Sequence, residues 1–445
     1  MSPEESRESS IRHSLRALNR GLMDCLRLIC VFTHTLPFIF KDFSRMDVTM
    51  MQHPVGQGGL FSGQIQLGNS KARWVYDCGS NQMDRLGLEV MEVANGGHVD
   101  LLFLSHLDSD HVNGVDRLLA STTVGEVVLP YLSALEYAGT VGRDIATSAL
   151  SVTFLEFLAD PAKWFISRGV GTVSYVQSVD PEKPGPNERV TEQEGERSEA
   201  FSDQDLRIKW PSSAVKKRAA KKGTVQDIAI GGALSVMTRG GQVNWVLAPF
   251  AHKPPKSYTK NFKNAIDKVF GTGLTRSAIA NYARTADGRK DLRECYDHFW
   301  NDHNLVSMSL YAGPRTTPVI SAIEMPFKLW KRPSPTLPSE IGWLATGDAH
   351  LARSGRYSAW SEFYSSYVDR VGVLVLPHHG SWLSYNPGFA SSFPNLYACL
   401  VAAGPNQYGH PDCRIYKHMA RARRSLKLHH VSEHPDSGFG TRASI

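Results

Sequence analysis

Residues 106–111 read HLDSDH and are separated by one serine from the apolar stretch LLFL. Imidazole nitrogens and carboxylate oxygens are common ligands of divalent ions in proteins. The four side chains of this type are His106, Asp108, Asp110 and His111. In a loop that leaves a buried strand, such groups would repel one another or stay protonated unless a cation held them. The motif therefore predicts a metal site, although a solvated turn before a helix is the alternative for this stretch alone.

Polar residues of the same chemical type follow three further apolar stretches. Asp348 lies in TGD, His378 and His379 lie in LPHHGS, and His410 lies in the Gly/Pro loop YGHP. Each of Asp348 and His410 alone is also compatible with an ordinary turn residue. Four strands that all end in potential metal ligands predict one site assembled along one edge of a sheet.

The order of these motifs resembles the metallo-β-lactamase superfamily. The greatest similarity is to the metallo-hydrolase domain of the bacterial DNA-uptake protein ComEC. The motifs that carry it are, in order, H-x-D-x-D-H with Gly114 behind it, T-G-D, P-H-H-G-S and Y-G-H-P. The stretches HPVGQGG, VYDCGS and HNLVSMSLY are similar to other parts of that domain, and the resemblance covers about residues 47–120 and 303–420. It implies an α/β (α+β) fold, an αββα sandwich, with a dinuclear metal site at the edge between the two sheets.

The resemblance also implies which residues hold the metal ions. His106 and Asp108 would hold one ion, and Asp110 and His111 the other. Asp348 would bridge the two ions. His379 would be the metal ligand of the histidine pair.

Further residues receive roles in catalysis or in orienting the ligands from the same resemblance. Asp110 and His378 would take part in catalysis, and His378 would stabilise charge near the substrate. His410 would lie over the site as a ligand or an acid. Asp77 and Ser381 would orient the metal ligands.

The sequence departs from the pattern of the family at several points. Pro54 and Gly59 stand where the opening motif usually has aspartates. The histidine that the superfamily places between the first motif and the bridging aspartate has no clear counterpart, and His252 and His303 are the candidates. Residues 133–300 fall outside the resemblance.

Two divalent ions held in this way are suited to phosphodiester hydrolysis, because a metal pair activates water and stabilises both the attacking and the leaving oxygen. Asp108 makes the ligand set rich in oxygen, which favours Mn²⁺ or Mg²⁺ over Zn²⁺ without excluding zinc. We therefore expect two divalent ions, Zn or Mn. The basic stretches 216–222 and 414–427 could add affinity for nucleic acid, although charged runs are usually solvated surface.

The composition fits a soluble globular protein. Of the 445 residues, 42% are hydrophobic and 21% are charged, and a net charge of +6 permits an anionic substrate without requiring one. The six cysteines show no C-x-x-C spacing, so we expect reduced thiols and a cytoplasmic location.

The domain organisation predicted from the sequence has three parts. Residues 1–45 form an N-terminal extension, whose apolar run is interrupted by charged residues, so we expect no membrane span. Residues 46–430 form the metallo-β-lactamase-like domain, with an insertion at about 133–300 that includes an exposed loop at 178–204. Residues 431–445 form a C-terminal tail.

The function predicted from these observations is that of a dinuclear metal-dependent hydrolase, a phosphodiesterase or nuclease acting on nucleic acid or nucleotide. An acyl-type hydrolase of lactones or thioesters is the alternative on the same fold, because a fold does not fix a function. A non-catalytic, metal-stabilised binding module is a further alternative. We expect no membrane channel, and the sequence does not identify protein partners.

Overall fold

A computed structural model describes residues 46–146, 152–178, 206–220, 222–238, 240–252, 256–298, 306–324, 340–422 and 426–445. By its contacts the chain divides into two units, Met1–Met46 and Asp47–Ile445. The predictions for residues 1–45, for His303 and for the loop after Ser178 lie outside the described residues.

Eighteen strands are found in the described part of the chain. They are β1 (Met46–Gln52), β2 (Gly58–Leu67), β3 (Ser70–Ser80), β4 (Val99–Phe103), β5 (Val124–Pro130), β6 (Thr172–Val176), β7 (Arg207–Lys209), β8 (Val215–Arg218), β9 (Thr224–Ile228), β10 (Leu234–Thr238), β11 (Gly241–Ala251), β12 (Met308–Gly313), β13 (Ala322–Glu324), β14 (Gly342–Ala345), β15 (Val371–Val375), β16 (Ala398–Ala402), β17 (Lys427–Val431) and β18 (Phe439–Ser444). One sheet has the order β13-β18-β1-β2-β3-β4-β5-β6-β9-β8, and the other has the order β17-β16-β15-β14-β12-β11-β10-β7.

Twelve α-helices are found in the same described ranges. They are α1 (Met83–Asn95), α2 (Ser109–Val112), α3 (Val115–Ser121), α4 (Ala134–Ala146), α5 (Val152–Ala159), α6 (Pro161–Ser167), α7 (Lys256–Phe270), α8 (Arg276–Tyr282), α9 (Ala286–Asp297), α10 (Ser354–Tyr364), α11 (Phe389–Ser392) and α12 (Cys413–Ala422). Among these described helices none is both long and apolar enough to cross a membrane.

The two sheets pack face to face through aromatic side chains. Trp74 of β3 lies 6.3 Å from Trp245 of β11, and Phe61 of β2 lies 5.1 Å from Trp343 of β14, measured between ring centroids. These rings exclude water from the space between the sheets, which is how a sandwich core is stabilised.

Helices cover the outer face of each sheet. Leu86 and Val90 of α1 share one buried apolar cluster with Val75 of β3. Trp360 of α10 shares another cluster with Leu374 of β15. The layers therefore run helix, sheet, sheet, helix, and the predicted αββα fold class is confirmed. Because both faces of each sheet are covered, the central strands read as continuous apolar runs, as buried parallel strands usually do.

Parallel pairing in the centre of each sheet positions the site. Strands β3, β4 and β5 run parallel, and so do β14, β15 and β16. The carboxyl ends of parallel strands meet at the same edge of a sheet, where ligand-binding loops usually lie. The loops that carry the predicted metal ligands follow β4, β14, β15 and β16.

The segment 133–300, predicted as an insertion, is built into both sheets. Its strand β6 pairs with β5 in the first sheet, and its strand β11 pairs with β12 in the second. Strands β10 and β11 of this segment pair antiparallel, and the segment also contains helix α7. Residues 431–445, predicted as a tail, contain strand β18, which pairs with β1.

Candidate metal centre

The predicted ligands meet around the carboxylate of Asp348. Its Oδ1 lies 3.3 Å from Nε2 of His111 and 3.6 Å from Nε2 of His379. Its Oδ2 lies 3.8 Å from Nε2 of His106 and 3.7 Å from Nε2 of His378. The side chain of Asp348 is 5% exposed, so a carboxylate buried between four imidazole rings lies at the centre of the cluster.

Two further carboxylates complete the cluster on opposite sides. Oδ2 of Asp108 lies 3.0 Å from Nε2 of His106. Oδ2 of Asp110 lies 3.5 Å from Nε2 of His379. The residues predicted to hold metal ions are therefore all brought together in one place.

The rings of His106 and His111 are fixed from behind by one buried carboxylate, that of Asp77. Nδ1 of His111 donates to Oδ2 of Asp77 at 2.8 Å. The Ser105 hydroxyl donates to the same carboxylate at 2.7 Å and lies 2.8 Å from Nδ1 of His106, from which it can accept. Asp77 thus orients both rings, directly for His111 and through Ser105 for His106, as predicted for a residue behind the ligands.

The ring of His379 is fixed by the backbone. Its Nδ1 donates to the carbonyl oxygen of Ala402 at 2.8 Å. A histidine whose Nδ1 carries the donated proton presents Nε2 as a lone pair, which is the form that binds a metal ion. In this tautomer His106, His111 and His379 would each offer Nε2 to a metal ion.

These three Nε2 atoms fit a metal ion because nothing else satisfies them. Each is buried and has no hydrogen-bond partner among the described residues, namely in His106, His111 and His379. Two groups have ligand atoms within 4.8 Å of one another: one is His106, His111 and Asp348, and the other is Asp110, His111 and His379. Buried polar atoms are nearly always paired, so three Nε2 atoms that have no hydrogen-bond partner and face carboxylates indicate a cation site.

The pKa values respond strongly to this crowding. Burial, followed by the neighbouring His111, lowers the pKa of His106 to about 3. Burial is the largest single influence on His111 and His379 and disfavours their charged forms, but the neighbouring carboxylates, of which Asp348 has the strongest effect, together outweigh it and raise the pKa of both rings. The same histidines outweigh burial at Asp348 and hold its pKa well below the usual range. The cluster therefore retains negative charge at its centre, as a cation site requires.

Close backbone approach explains two glycines of the motifs. A Cβ atom on Gly79, in the stretch VYDCGS, would lie 2.5 Å from the backbone of His111. Gly347, in TGD, has a φ of +53°, and a Cβ there would lie 2.5 Å from Oγ of Ser307. That same Oγ accepts from the backbone N–H of Asp348 at 3.0 Å. The glycines thus let the ligand loops sit against the strands.

The backbone turns at the histidine pair. His378 and His379 have φ values of +50° and +53°, so the alternation of side chains along a strand does not apply to them. Both rings face Asp348, on different oxygens, and the His378 side chain is 30% exposed whereas that of His379 is 4% exposed. The difference places His378 on the solvent side of the cluster.

The remaining predicted residues lie around this centre. The His410 ring lies 5.4 Å from that of His378, next to the exposed Tyr408. Ser381 is buried, and its backbone N–H donates to the His378 carbonyl, whereas the hydroxyl that lies 3.2 Å from Nδ1 of His378 belongs to Ser384. No described contact joins the Ser381 hydroxyl to a site histidine.

The two sequence departures have different structural outcomes. A Cβ on Gly59 would lie about 3.1 Å from Asp77 Oδ2 and from His111 Nδ1, and a cavity of about 30 Å³ lies beside it. A side chain at position 59 would therefore crowd the groups that orient the ligands. His252 is buried at the end of β11, and burial followed by Arg356 lowers its pKa. It belongs to neither described ligand group.

The sequence analysis missed Arg143 and Asp144 of α4. Nη1 of Arg143 pairs with Oδ2 of Asp108, and its Nη2 lies 3.0 Å from Oδ1 of Asp144. Burial raises the pKa of Asp144. Neither residue belongs to a motif, and their helix lies in the segment outside the resemblance, so no local signal identified them.

Comparisons with known proteins give only distant structural likeness. No family model and no curated protein matches the sequence. The solved structures that are similar include the metallo-β-lactamase fold protein YhfI from Bacillus subtilis (10% identity, 89% of this chain and 99% of that chain, TM-score 0.34). They also include a diphosphatase of the PhnP family (8% identity, 90% of this chain and 98% of that chain, TM-score 0.33). A third is the metallo-β-lactamase SMB-1 bound to 2-mercaptoethanesulfonate (10% identity, 73% of this chain and 76% of that chain, TM-score 0.23). With all three TM-scores below 0.5, the fold and the site rest on the contacts described above.

Proposed function

We propose that the chain is a metal-dependent hydrolase that uses two divalent ions to cleave phosphodiester bonds in nucleic acid or nucleotide. The observation that carries this proposal is the convergence of three partnerless Nε2 atoms, of His106, His111 and His379, on the carboxylate of Asp348. A structural histidine cluster would satisfy those atoms with protein donors or acceptors. A catalytic metal centre leaves them for the ions.

The ligand set supports two positions that share Asp348. One position would be formed by His106 and Asp108, and the other by Asp110, His111 and His379. When bound, a pair of divalent ions supplies a hydroxide near neutral pH and neutralises charge on both oxygens of an in-line displacement. The chain contributes fixed ligand directions, because Asp77, Ser105 and the Ala402 carbonyl hold the rings from behind.

Two histidines on the solvent side are placed to act on the substrate. His378, 30% exposed, lies beyond the buried ligands and would donate a hydrogen bond to charge that develops on the phosphate. His410 lies next to it and would donate a proton to the leaving oxygen. Removal of either histidine should then reduce the turnover rate strongly and the metal affinity only slightly.

The surface beside His410 supports an anionic substrate with aromatic groups. Tyr408 is 61% exposed and its ring stacks on that of His410. The guanidinium of Arg414 lies over the ring of Trp382 at 5.1 Å. Helix α12, which begins at Cys413, carries basic residues and no acidic residue. Tyr408 is exposed and Trp382 is partly buried, and Arg414 is also paired with Asp412. Rings interleaved with cations occur on surfaces that stack nucleobases and track phosphates.

The metal and the compartment belong to the same proposal. Three carboxylates in the ligand set support Mn²⁺ as well as Zn²⁺, because hard oxygen ligands suit manganese. Cys78, Cys295, Cys399 and Cys413 are free thiols. Free thiols support a reducing compartment, and we propose the cytoplasm.

The deciding experiment measures metal content and hydrolysis with the same preparation. The full-length protein is reconstituted with Mn²⁺ or Zn²⁺, and bound metal is measured by elemental analysis. Hydrolysis is then assayed on single-stranded DNA, double-stranded DNA, single-stranded RNA, a cyclic dinucleotide and bis(p-nitrophenyl) phosphate. A lactone, a thioester and p-nitrophenyl acetate are the acyl substrates, and Asp348→Asn is the matched control.

Two bound ions and diester hydrolysis that Asp348→Asn abolishes would support the proposal. Hydrolysis of the acyl substrates alone would identify an acyl hydrolase instead. Bound metal without turnover on any substrate would favour a metal-stabilised binding module. Absence of bound metal after reconstitution with either ion would refute the metal centre itself.

A further inference from the structure

A cation from helix α4 reaches the metal centre. Nη1 of Arg143 pairs with Oδ2 of Asp108, and the side chains of the two residues are 13% and 12% exposed. This helix belongs to the segment 133–300, for which the family resemblance provides no role. The contact therefore links the unexplained segment to the predicted metal ligands.

The position of Arg143 is fixed by the packing of its helix and by a second partner. A Cβ on the preceding residue, Gly142, would lie 2.9 Å from Cβ of Tyr296 on α9, so the two helices are in close contact. Nη2 of Arg143 lies 3.0 Å from Oδ1 of Asp144, whose side chain is 1% exposed. A guanidinium held by two carboxylates in a nearly buried position stays near the site.

The oxygen that Arg143 contacts is the one that a metal ion would use. Oδ2 of Asp108 lies 3.0 Å from Nε2 of His106, as two ligands of one ion would. An ion bound to both atoms would lie within a few ångströms of the guanidinium, which is permanently charged. Like charges repel at that distance, most strongly in a poorly solvated site.

The other metal position has no such cation. Asp110 contacts His379, and in the described part of the chain no arginine or lysine is paired with it. The two positions that share Asp348 therefore differ in one charge as well as in the number of their ligands, since the Asp110 position has one histidine more.

We propose that Arg143 makes the His106/Asp108 position the weaker of the two metal positions, so that the two ions bind in order, the Asp110/His111/His379 position first. The segment 133–300 thus regulates occupancy of the second ion. The inference rests on the metal centre proposed above.

Isothermal titration of the metal-free full chain with Mn²⁺, and separately with Zn²⁺, tests the order. In the unaltered protein we expect two binding steps of different affinity. Arg143→Ala should tighten the weaker step by about tenfold or more, because it removes the repelling charge. Arg143→Lys, which retains the charge, should stay within about threefold of the unaltered protein.

Two controls separate this effect from damage to the helix. Arg276→Ala removes another arginine of the same segment, one that bonds the Leu132 carbonyl, and it should leave both steps unchanged. Asp108→Asn should itself weaken or abolish the weaker step and leave the tighter step unchanged, because only the weaker position uses the Asp108 carboxylate. Thermal unfolding in EDTA checks that each variant is folded.

A supporting role of Arg143 in metal binding would change the affinity of the weaker step in the opposite direction. If the arginine only orients Asp108, Arg143→Ala should weaken the step, by about 10- to 100-fold for a partner that orients a ligand. A weaker or an unchanged step would overturn the inference while leaving the metal centre intact. A protein that binds no metal at all would instead refute the proposed function.

Discussion

The first sheet and the metal centre each enclose a carboxylate, and the two surroundings differ. Oε1 of Glu126 on β5 accepts hydrogen bonds from Ser174, from Nε1 of Trp210 at 2.7 Å and from Gln226. Asp348 instead faces histidine nitrogens, three of which have no hydrogen-bond partner among the residues described. Donors complete the first environment, whereas the second needs a cation. The comparison distinguishes Glu126, a structural carboxylate whose hydrogen bonds are supplied by the protein, from Asp348, a carboxylate placed to bind a cation.

Asp348→Asn should have the largest effect in this comparison. Removal of the shared charge should reduce the bound metal from two ions to one or none. The rate of diester hydrolysis should fall by about a thousandfold or more, since metal charge stabilisation supplies several kcal/mol. Elemental analysis and the diester assay measure both effects.

Glu126→Gln is the matched control, because it removes one charge from an enclosed carboxylate away from the ligands. It should keep two ions and the full rate. Equal metal loss in both variants would mean that the distinction between the two carboxylates is false.

His379→Ala and His378→Ala should have separable effects. His379 is fixed by the Ala402 carbonyl and faces Asp110 and Asp348, so its loss should lower metal content and rate together. His378→Ala should keep its metals and lose about a hundredfold or more in rate, as in sites where one donor to developing charge is removed. If only His378→Ala loses metal, His378 is the ligand and His379 is not. If neither variant changes the metal content or the rate, the catalytic interpretation is wrong.

Asp77→Asn should have an intermediate effect. Asp77 accepts from His111 and Ser105, so the amide should leave the ligands in place but poorly oriented. Metal affinity should fall by about 10- to 100-fold, measured by competition with a chelator. Asp100→Asn, on the same sheet and bonded to the Arg73 backbone, should leave the affinity unchanged, and an equal loss there would indicate general damage.

Glu126→Gln should have the smallest effect, on stability. Burial raises the pKa of Glu126 in the folded protein, so the protonated form is favoured there. That contribution is present below the pKa of the unfolded chain and is lost as the pH rises through the folded pKa. The glutamine should therefore be more stable at pH 7, on the order of 1 kcal/mol. Urea unfolding at pH 7 and pH 4 should show the difference shrinking at the lower pH.

The sequence predicted the ligands because each motif follows its own strand. Local patterns identify where a buried strand ends, and parallel strands bring those ends to one edge. His106, Asp348 and the pair His378 and His379 could be predicted in this way as members of one site, whereas the choice of His379 as the ligand came from the family resemblance. The family resemblance supplied Asp77 and the αββα layers.

Contacts between distant segments could not be predicted from the sequence. Arg143 reaches Asp108 only because α4 packs on α9, and no local pattern records that packing. The sequence does not show the left-handed turn at His378 and His379, because an apolar strand by itself suggests alternating side chains. Nor does it show strand β18, because six residues with a glycine and a charge give a weak strand pattern.

The position of strand β18 late in the sequence affects when the first sheet can be completed during synthesis. It lies between β13 and β1, and Nε1 of Trp343 in the other sheet donates to its Thr441 at 3.1 Å. The ribosome synthesises Phe439–Ser444 after all the candidate metal ligands. Until then, the edge of β1 that pairs with β18 has no partner strand. We therefore expect the first sheet to be completed only after Phe439–Ser444 has been synthesised. A chain broken off before Phe439 would carry its ligands but expose a strand edge that invites aggregation.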